Sequence, residues 1–133
     1  GSVRVRNSII AEQAVGDDCG SGVTTDGYNI DSDGTCGLVD VAGGGTDQPS
    51  VPDAGLLPLA GNGGPTITHD LADTSPAIDG GNLAGCMADP NGVGPAEVPL
   101  TADQRGIAFV EIAGIGGDPS GCDIGAVEFQ PAP

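Results

Sequence analysis

Asn29, Asp31, Asp33, Gly34 and Asp40, within GYNIDSDGTCGLVD, stand in the register of a calcium loop at positions one, three, five, six and twelve. Calcium takes hard oxygen ligands, and a glycine at the sixth position lets the backbone turn sharply enough to converge them. Three features weaken that reading: Asn stands first, the twelfth residue is the shorter Asp, and Cys36 interrupts the register. No helices are expected on either side. The competing reading is that Asp31 and Asp33 cap backbone amides of a tight turn. It is the stronger of the two, and calcium stays a candidate cofactor with none certain.

A second group is built on Arg105, which with Arg4 and Arg6 makes up all the cations apart from His69. Its nearest candidate partners are Asp103, Asp123 and Glu128. A planar guanidinium can hold a carboxylate with two bonds and tie two segments together, so a structural ion pair is expected. The rival role is an arginine that stabilises charge on a substrate. Asp26, Asp31, Asp33, Asp79 and Asp103 could supply the carboxylates of a carbohydrate-active enzyme. Yet there is no Lys, no Trp, one Tyr and two Phe, so little is available to stack on sugar rings. His69 has no Cys or His at ligand spacing and reads as a solvated turn residue. Ser75, His69 and Asp79 carry no nucleophile turn. The expectation is a protein that is not an enzyme.

Cys19, Cys36, Cys86 and Cys122 include no C-x-x-C pair, which argues against zinc. In a small acidic chain they read as disulfides formed in an oxidising compartment, hence secreted or cell-surface. Three pairings are open, and the sequential one, Cys19–Cys36 with Cys86–Cys122, is expected.

The elements that position these residues must be short. The chain has 133 residues with 25 Gly and 11 Pro, so turns interrupt nearly every window and no helical spacing is sustained. Val3 to Ile10 reads as a strand with one wet face. Further short strands are expected at Gly27–Ile30, Thr66–His69, Ser75–Gly81, Asp103–Gly117 and Gly121–Phe129, with turns at GDDCGSG, DSDGTCG and NGGP. Short strands and long unequal loops suit the coils of a β-solenoid better than a sandwich. The net charge of −16 excludes nucleic acid as a partner and disfavours anionic membranes. No apolar run is long enough to insert in a bilayer. The same charge opens a third function class, a calcium- or salt-dependent module.

Six phrases in order, NSIIA, GYNIDSDGTCG, LLPLAGNGGPTITHDL, SPAIDGGN, DQRG and GCDIGAVEF, closely resemble the C-terminal region of bacterial choice-of-anchor Q domain proteins. The resemblance runs from about Asn7 to Phe129. It departs at HDL, and at the stretch after DQRG, which is more apolar than the family's. It implies an all-β fold: the C-terminal coils and irregular cap of a right-handed parallel β-helix of the polymorphic outer-membrane-protein class. Residues 1–129 would form coils and cap, and 130–133 the start of a Pro-rich linker. The implied role is structural and adhesin-like, in a surface assembly such as a filament. The partner would be the rest of a parent β-helix, or identical neighbouring chains, reached through the N-terminal strand.

Overall fold

The computed structural model describes residues 3–40, 43–82, 85–88, 98–108 and 122–131. Among them the chain is all β and irregular, with no helix. Strand β1 (Arg4–Val5) pairs in parallel with β3 (Thr24–Thr25), and β2 (Ile9–Ile10) with β4 (Ile30–Asp31). The ladder then continues, because Ile30 also bridges Gln48 in parallel. Three successive segments thus lie side by side in the same direction, each a short stretch bent at a corner. The repeat is roughly 20 residues, within the range of stacked architectures. The backbone bonds alternate to the two sides of the middle segment: Ile30 N–H to Ser8 C=O at 2.8 Å and Ser32 N–H to Ile10 C=O at 3.1 Å on one side, Asp31 N–H to Gln48 C=O at 3.1 Å on the other.

The corners are specified by sequence. Asn7 and Tyr28 occupy equivalent places in successive segments, and both take positive φ, at 46° and 59°. Beside Tyr28, Gly27 has φ 92°, and a Cβ there would strike the hydroxyl of Thr46 in the next segment. Glycine takes that left-handed backbone angle without strain and leaves room for the Thr46 side chain.

Below the stack the chain changes character. Residues 56–71 form a two-armed antiparallel hairpin, with bridges Leu56 to Leu71 and Ala60 to Thr68. Asn62 closes its tip by donating Nδ2–H to the carbonyl of Thr68 at 2.8 Å. Strand β5 (Met87–Ala88) pairs antiparallel with β6 (Val98–Pro99). The core gathers Ile30, Ala54, Leu71, Ala77, Ile78, Ile124 and Phe129, with Ile9, Ala11, Val51 and Leu56 packed on its margin.

Two expected strands are corrected. Ser75–Gly81 is a run of turns, with Ile78 N–H bonded to Ser75 C=O at 3.2 Å and Gly80 N–H to Ala77 C=O at 3.1 Å. The described part of Gly121–Phe129 is bent and joins no ladder. Ser75 Oγ accepts the N–H of Ala77, and Asp123 accepts that of Phe129. Side chains therefore satisfy donors that a ladder would otherwise take. Most of the strand expected at Asp103–Gly117 lies outside the described residues. Its start is a turn, Asp103–Gly106, closed by a bridge from Ala102 to Ala108.

Both sequential disulfides are present, Cys19–Cys36 and Cys86–Cys122. The first closes the loop above the acidic turn. The second ties the C-terminal segment to β5. Both fit an oxidising environment. Among the described residues no helix is long and apolar enough to cross a membrane.

Candidate functional site

The acidic turn keeps only part of its predicted ligand set together. Asp31 and Asp33 are joined by Asp18, which the register reading missed, and carboxylate oxygens of all three lie within 4.8 Å of one another. Each is already bonded. Asp31 is fully buried: Oδ1 accepts the N–H groups of Asp33 and Gly34 at 3.2 and 3.1 Å, and Oδ2 accepts that of Cys36 at 2.9 Å. Asp33 accepts the hydroxyl and N–H of Thr35 and the N–H of Asp18. The Thr35 hydroxyl, then the Asp18 amide, hold its carboxyl down at about 2. Asp18 accepts both the N–H and the hydroxyl of Ser32.

Asn29 and Asp40 belong elsewhere. Asn29 is buried in the stack, and its Oδ1 accepts the N–H of Ser8 at 3.1 Å in the segment above. Its Nδ2–H donates to Asp47 Oδ1 at 2.8 Å in the segment below. Asp40 caps the N–H of Gly43 at 2.7 Å. The four residues of the calcium register are thus dispersed over a capped turn, a ladder position and a separate loop. Asp47 is the residue that sequence reading missed: it sits in a stretch that looks like plain loop, and no periodic signal marks it.

Arg105 is buried and takes Asp103 as its carboxylate, with Nε and Nη2 both 2.7 Å from Oδ2. Its Nη2–H also donates to the backbone carbonyl of Glu128 at 2.5 Å, and Asp70 lies 3.7 Å from Nη1. The Glu128 carboxylate instead accepts the N–H of Asp123. Asp123 accepts the N–H groups of Asp79 and Phe129, at 2.7 and 2.5 Å. So the DQRG turn clasps the C-terminal segment through Asp103 and Arg105, and Asp123 clasps the SPAIDGG turn. The same segment reaches the first strand pair: Asn7 donates Nδ2–H to Asp123 C=O and accepts the N–H of Gly125, both at 3.0 Å.

Burial sets the electrostatics of this clasp. It pushes the Asp103 carboxyl up, but Arg105 and the amides of Glu128, Ile107 and Arg105 outweigh it, and the net direction is down. For Asp123 burial wins over its two amide donors and the direction is up. Glu128 is raised to about 7, first by burial and then by the charge of Asp123. A buried acid at that value is a candidate proton donor. It faces a small cavity of about 170 Å³ lined by Asp103, Asp123 and the half-cystine Cys86.

The remaining carboxylates of the sugar-cleaving alternative are not gathered at one place. Asp26 bonds Arg4 through Oδ2 to Nε at 2.9 Å, on the outer strand pair. Asp31 and Asp33 lie in the acidic turn, Asp103 lies against Arg105, and Asp79 lies beside Asp123. His69 bonds the carbonyl of Leu57 through Nδ1 at 2.7 Å across the hairpin.

Among the described residues there is also an apolar groove of about 520 Å³. Ile9, Leu59, Ile67, Leu71 and Val127 line it, with Gln104 at its polar rim. It runs beside β2. No family model, no curated protein and no solved structure matches this chain.

Proposed function

We propose that the chain is the end piece of an extracellular right-handed parallel β-helix: its last coils and irregular cap, with a structural and not a catalytic role. The observation that carries this reading is the stack Ile9, Ile30, Gln48, three successive segments in one parallel register. The resemblance to choice-of-anchor Q proteins supports the same architecture and a surface, adhesin-like setting.

The two ends of the stack differ. Past Gln48 the chain is closed over by the 53–57 loop, the hairpin and the Ser75–Gly80 turns, and Gln48 donates Nε2–H to Pro76 C=O at 3.1 Å. At the other end, β1 and β2 have no further ladder partner among the described residues. Such an edge is a template for another strand. In this reading the edge continues the stack, taking the next strand of a parent β-helix or of a neighbouring chain.

The experiment is light scattering over a wide concentration range. In roughly molar salt the Debye length falls to about 3 Å and the net charge no longer keeps copies apart. Concentration-dependent association is then expected. Ile9→Pro, which removes an outward-facing N–H, should suppress it. A monomer at every concentration in that salt sinks the reading.

A further inference from the structure

Asparagine is chemically labile, and most so before glycine, where no side chain hinders the next backbone nitrogen from reaching its Cγ. Among the described residues, four steps set Asn or Asp before Gly: Asp26–Gly27, Asp33–Gly34, Asn62–Gly63 and Asp79–Gly80. In three of them the glycine nitrogen is tied into a turn. Gly27 N–H donates to Thr25 Oγ1 at 2.9 Å, Gly34 N–H to Asp31 Oδ1 at 3.1 Å, and Gly80 N–H to Ala77 C=O at 3.1 Å. The electrophile in those three is also a carboxyl group, which resists attack once ionised. Gly63 differs on both counts. Its N–H donates to no group among the described residues, and a Cβ there would meet nothing within 4 Å. The side chain before it is a neutral carboxamide.

That carboxamide fastens the tip of the hairpin. Asn62 Nδ2–H donates to the Thr68 carbonyl at 2.8 Å and lies 3.2 Å from the Thr68 hydroxyl. The same carbonyl accepts the N–H of Ala60 at 3.0 Å, in the last bridge before the tip. The tip rests in turn on the DQRG turn. A Cβ on Gly64 would stand 2.5 Å from Arg105 Cα, and Gln104 Nε2–H donates to Thr66 Oγ1 at 2.7 Å. Asn62 thus secures the loop that seats the hairpin against the Arg105 clasp.

We propose that Asn62 is a site of spontaneous, irreversible modification, and that its conversion unfastens this tip. The Gly63 nitrogen gives its proton to solvent and bonds to Asn62 Cγ. The Cγ–Nδ2 bond breaks, and Nδ2 leaves as ammonia with protons drawn from water. The resulting cyclic imide takes up water at either of its carbonyls. Opening at one gives aspartate; opening at the other gives isoaspartate, with the main chain rerouted through the former side chain. Both products lack the donor that faced the Thr68 carbonyl and set an acceptor oxygen in its place, which leaves that bond unmade.

The test incubates the full chain in mildly alkaline buffer, folded and in parallel unfolded in urea. Position 62 is followed by mass spectrometry and by isoaspartyl methyltransferase labelling. Asn91–Gly92, which lies outside the described residues, is read as a separate peptide. The folded chain should release ammonia and gain both acid products at position 62, with no isoaspartate at Asp26, Asp33 or Asp79. Asn62→Gln, which would have to close a larger ring, should stay intact. Asn62→Asp should speed amide exchange at Ala60 and Thr68 by about fivefold or more, as the loss of one hydrogen bond allows. An Asn62 that stays whole in the folded chain while the unfolded chain converts overturns the proposal, because the fold then protects the site. Unchanged exchange at Ala60 and Thr68 in Asn62→Asp overturns the unfastening.

Discussion

Asn29 and Asp47 form a buried pair across one step of the stack: the backbone N–H and the Nδ2–H of Asn29 both donate to Asp47 Oδ1, at 2.9 and 2.8 Å. The other Asp47 oxygen accepts the Thr25 hydroxyl at 2.8 Å and the Val39 N–H at 3.3 Å. One carboxylate thus serves two segments of the stack and the loop that joins them.

Removing that acceptor leaves several donors without a partner inside the protein, each costing about 1–3 kcal/mol. Asp47→Ala should destabilise the chain by about 3 kcal/mol or more in urea unfolding. Asp47→Asn keeps one oxygen and should cost less. A midpoint unchanged in Asp47→Ala would mean that the pair is incidental.

The clasp at Arg105 gives a second expectation. Nε and Nη2 both reach Asp103 Oδ2, and Nη2 also holds the carbonyl of Glu128. A lysine keeps the charge but presents no fork. Arg105→Lys should lower the melting temperature, and Arg105→Ala, which strands the buried Asp103, should cost about 3–5 kcal/mol. Equal melting of Arg105→Lys and the parent chain would remove the clasp from the account.

The pH dependence follows from Glu128. Its ordinary value is 4.5 and burial raises it to about 7 in the fold. The folded state therefore holds the proton more tightly than the unfolded chain. Its contribution is full below 4.5 and is lost as pH rises through about 7. Asp123, also raised, acts in the same sense, while the lowered Asp103 contributes above 3.8 and loses that contribution as pH falls. Melting temperature should decline from about pH 5 to pH 8, and Glu128→Gln should flatten that decline. A parallel decline in the variant would place its cause elsewhere.

The disulfides separate two parts of the molecule. Cys86–Cys122 ties the clasped segment to β5, whereas Cys19–Cys36 closes the loop beside the acidic turn. Replacing either pair by serine should cost about 2–5 kcal/mol. Loss of the first pair should speed amide exchange at Ile124 and Gly125, and loss of the second at Val23 and Gly34. Uniform change in both variants would mean that the two regions unfold as one unit.

What could be read from sequence was whatever is written in local chemistry. Gly, Asn and Asp mark the turns at Asp31–Cys36 and Asn62–Gly64 because those residues adopt or cap turn conformations wherever they stand. Four cysteines allow three pairings, and the expected sequential one is present, with Cys19 joined to Cys36. What could not be read depends on partners far apart. Nothing near Asp47 says that Asn29 lies above it, and nothing near Asp123 says that its oxygens will hold the amides of Asp79 and Phe129. Alternation in CDIGAVEF looks like a strand because periodicity registers apolar side chains and is blind to a carboxylate that replaces a ladder. The calcium register failed to gather its residues for a related reason. Spacing places oxygens along the chain, but the stack claims Asn29 before the loop can.

That last competition predicts how the acidic turn answers calcium. Asp31 is enclosed, and its two oxygens already accept three backbone N–H groups, from Asp33, Gly34 and Cys36. Three of the roughly four lone-pair sites of that carboxylate are thus taken, and an ion entering between Asp18, Asp31 and Asp33 would compete with the amides that hold the turn leading to Cys36. Calorimetric titration with calcium should show no binding heat, and chelator should leave the melting temperature unchanged. Asp31→Asn keeps Oδ1 for two of the amides but sets an NH₂ group against the Cys36 N–H. It should cost about 1–3 kcal/mol, by the same amount with and without calcium. A cost that appears only in calcium would show that the ion, and not the amides, is the true partner of Asp31.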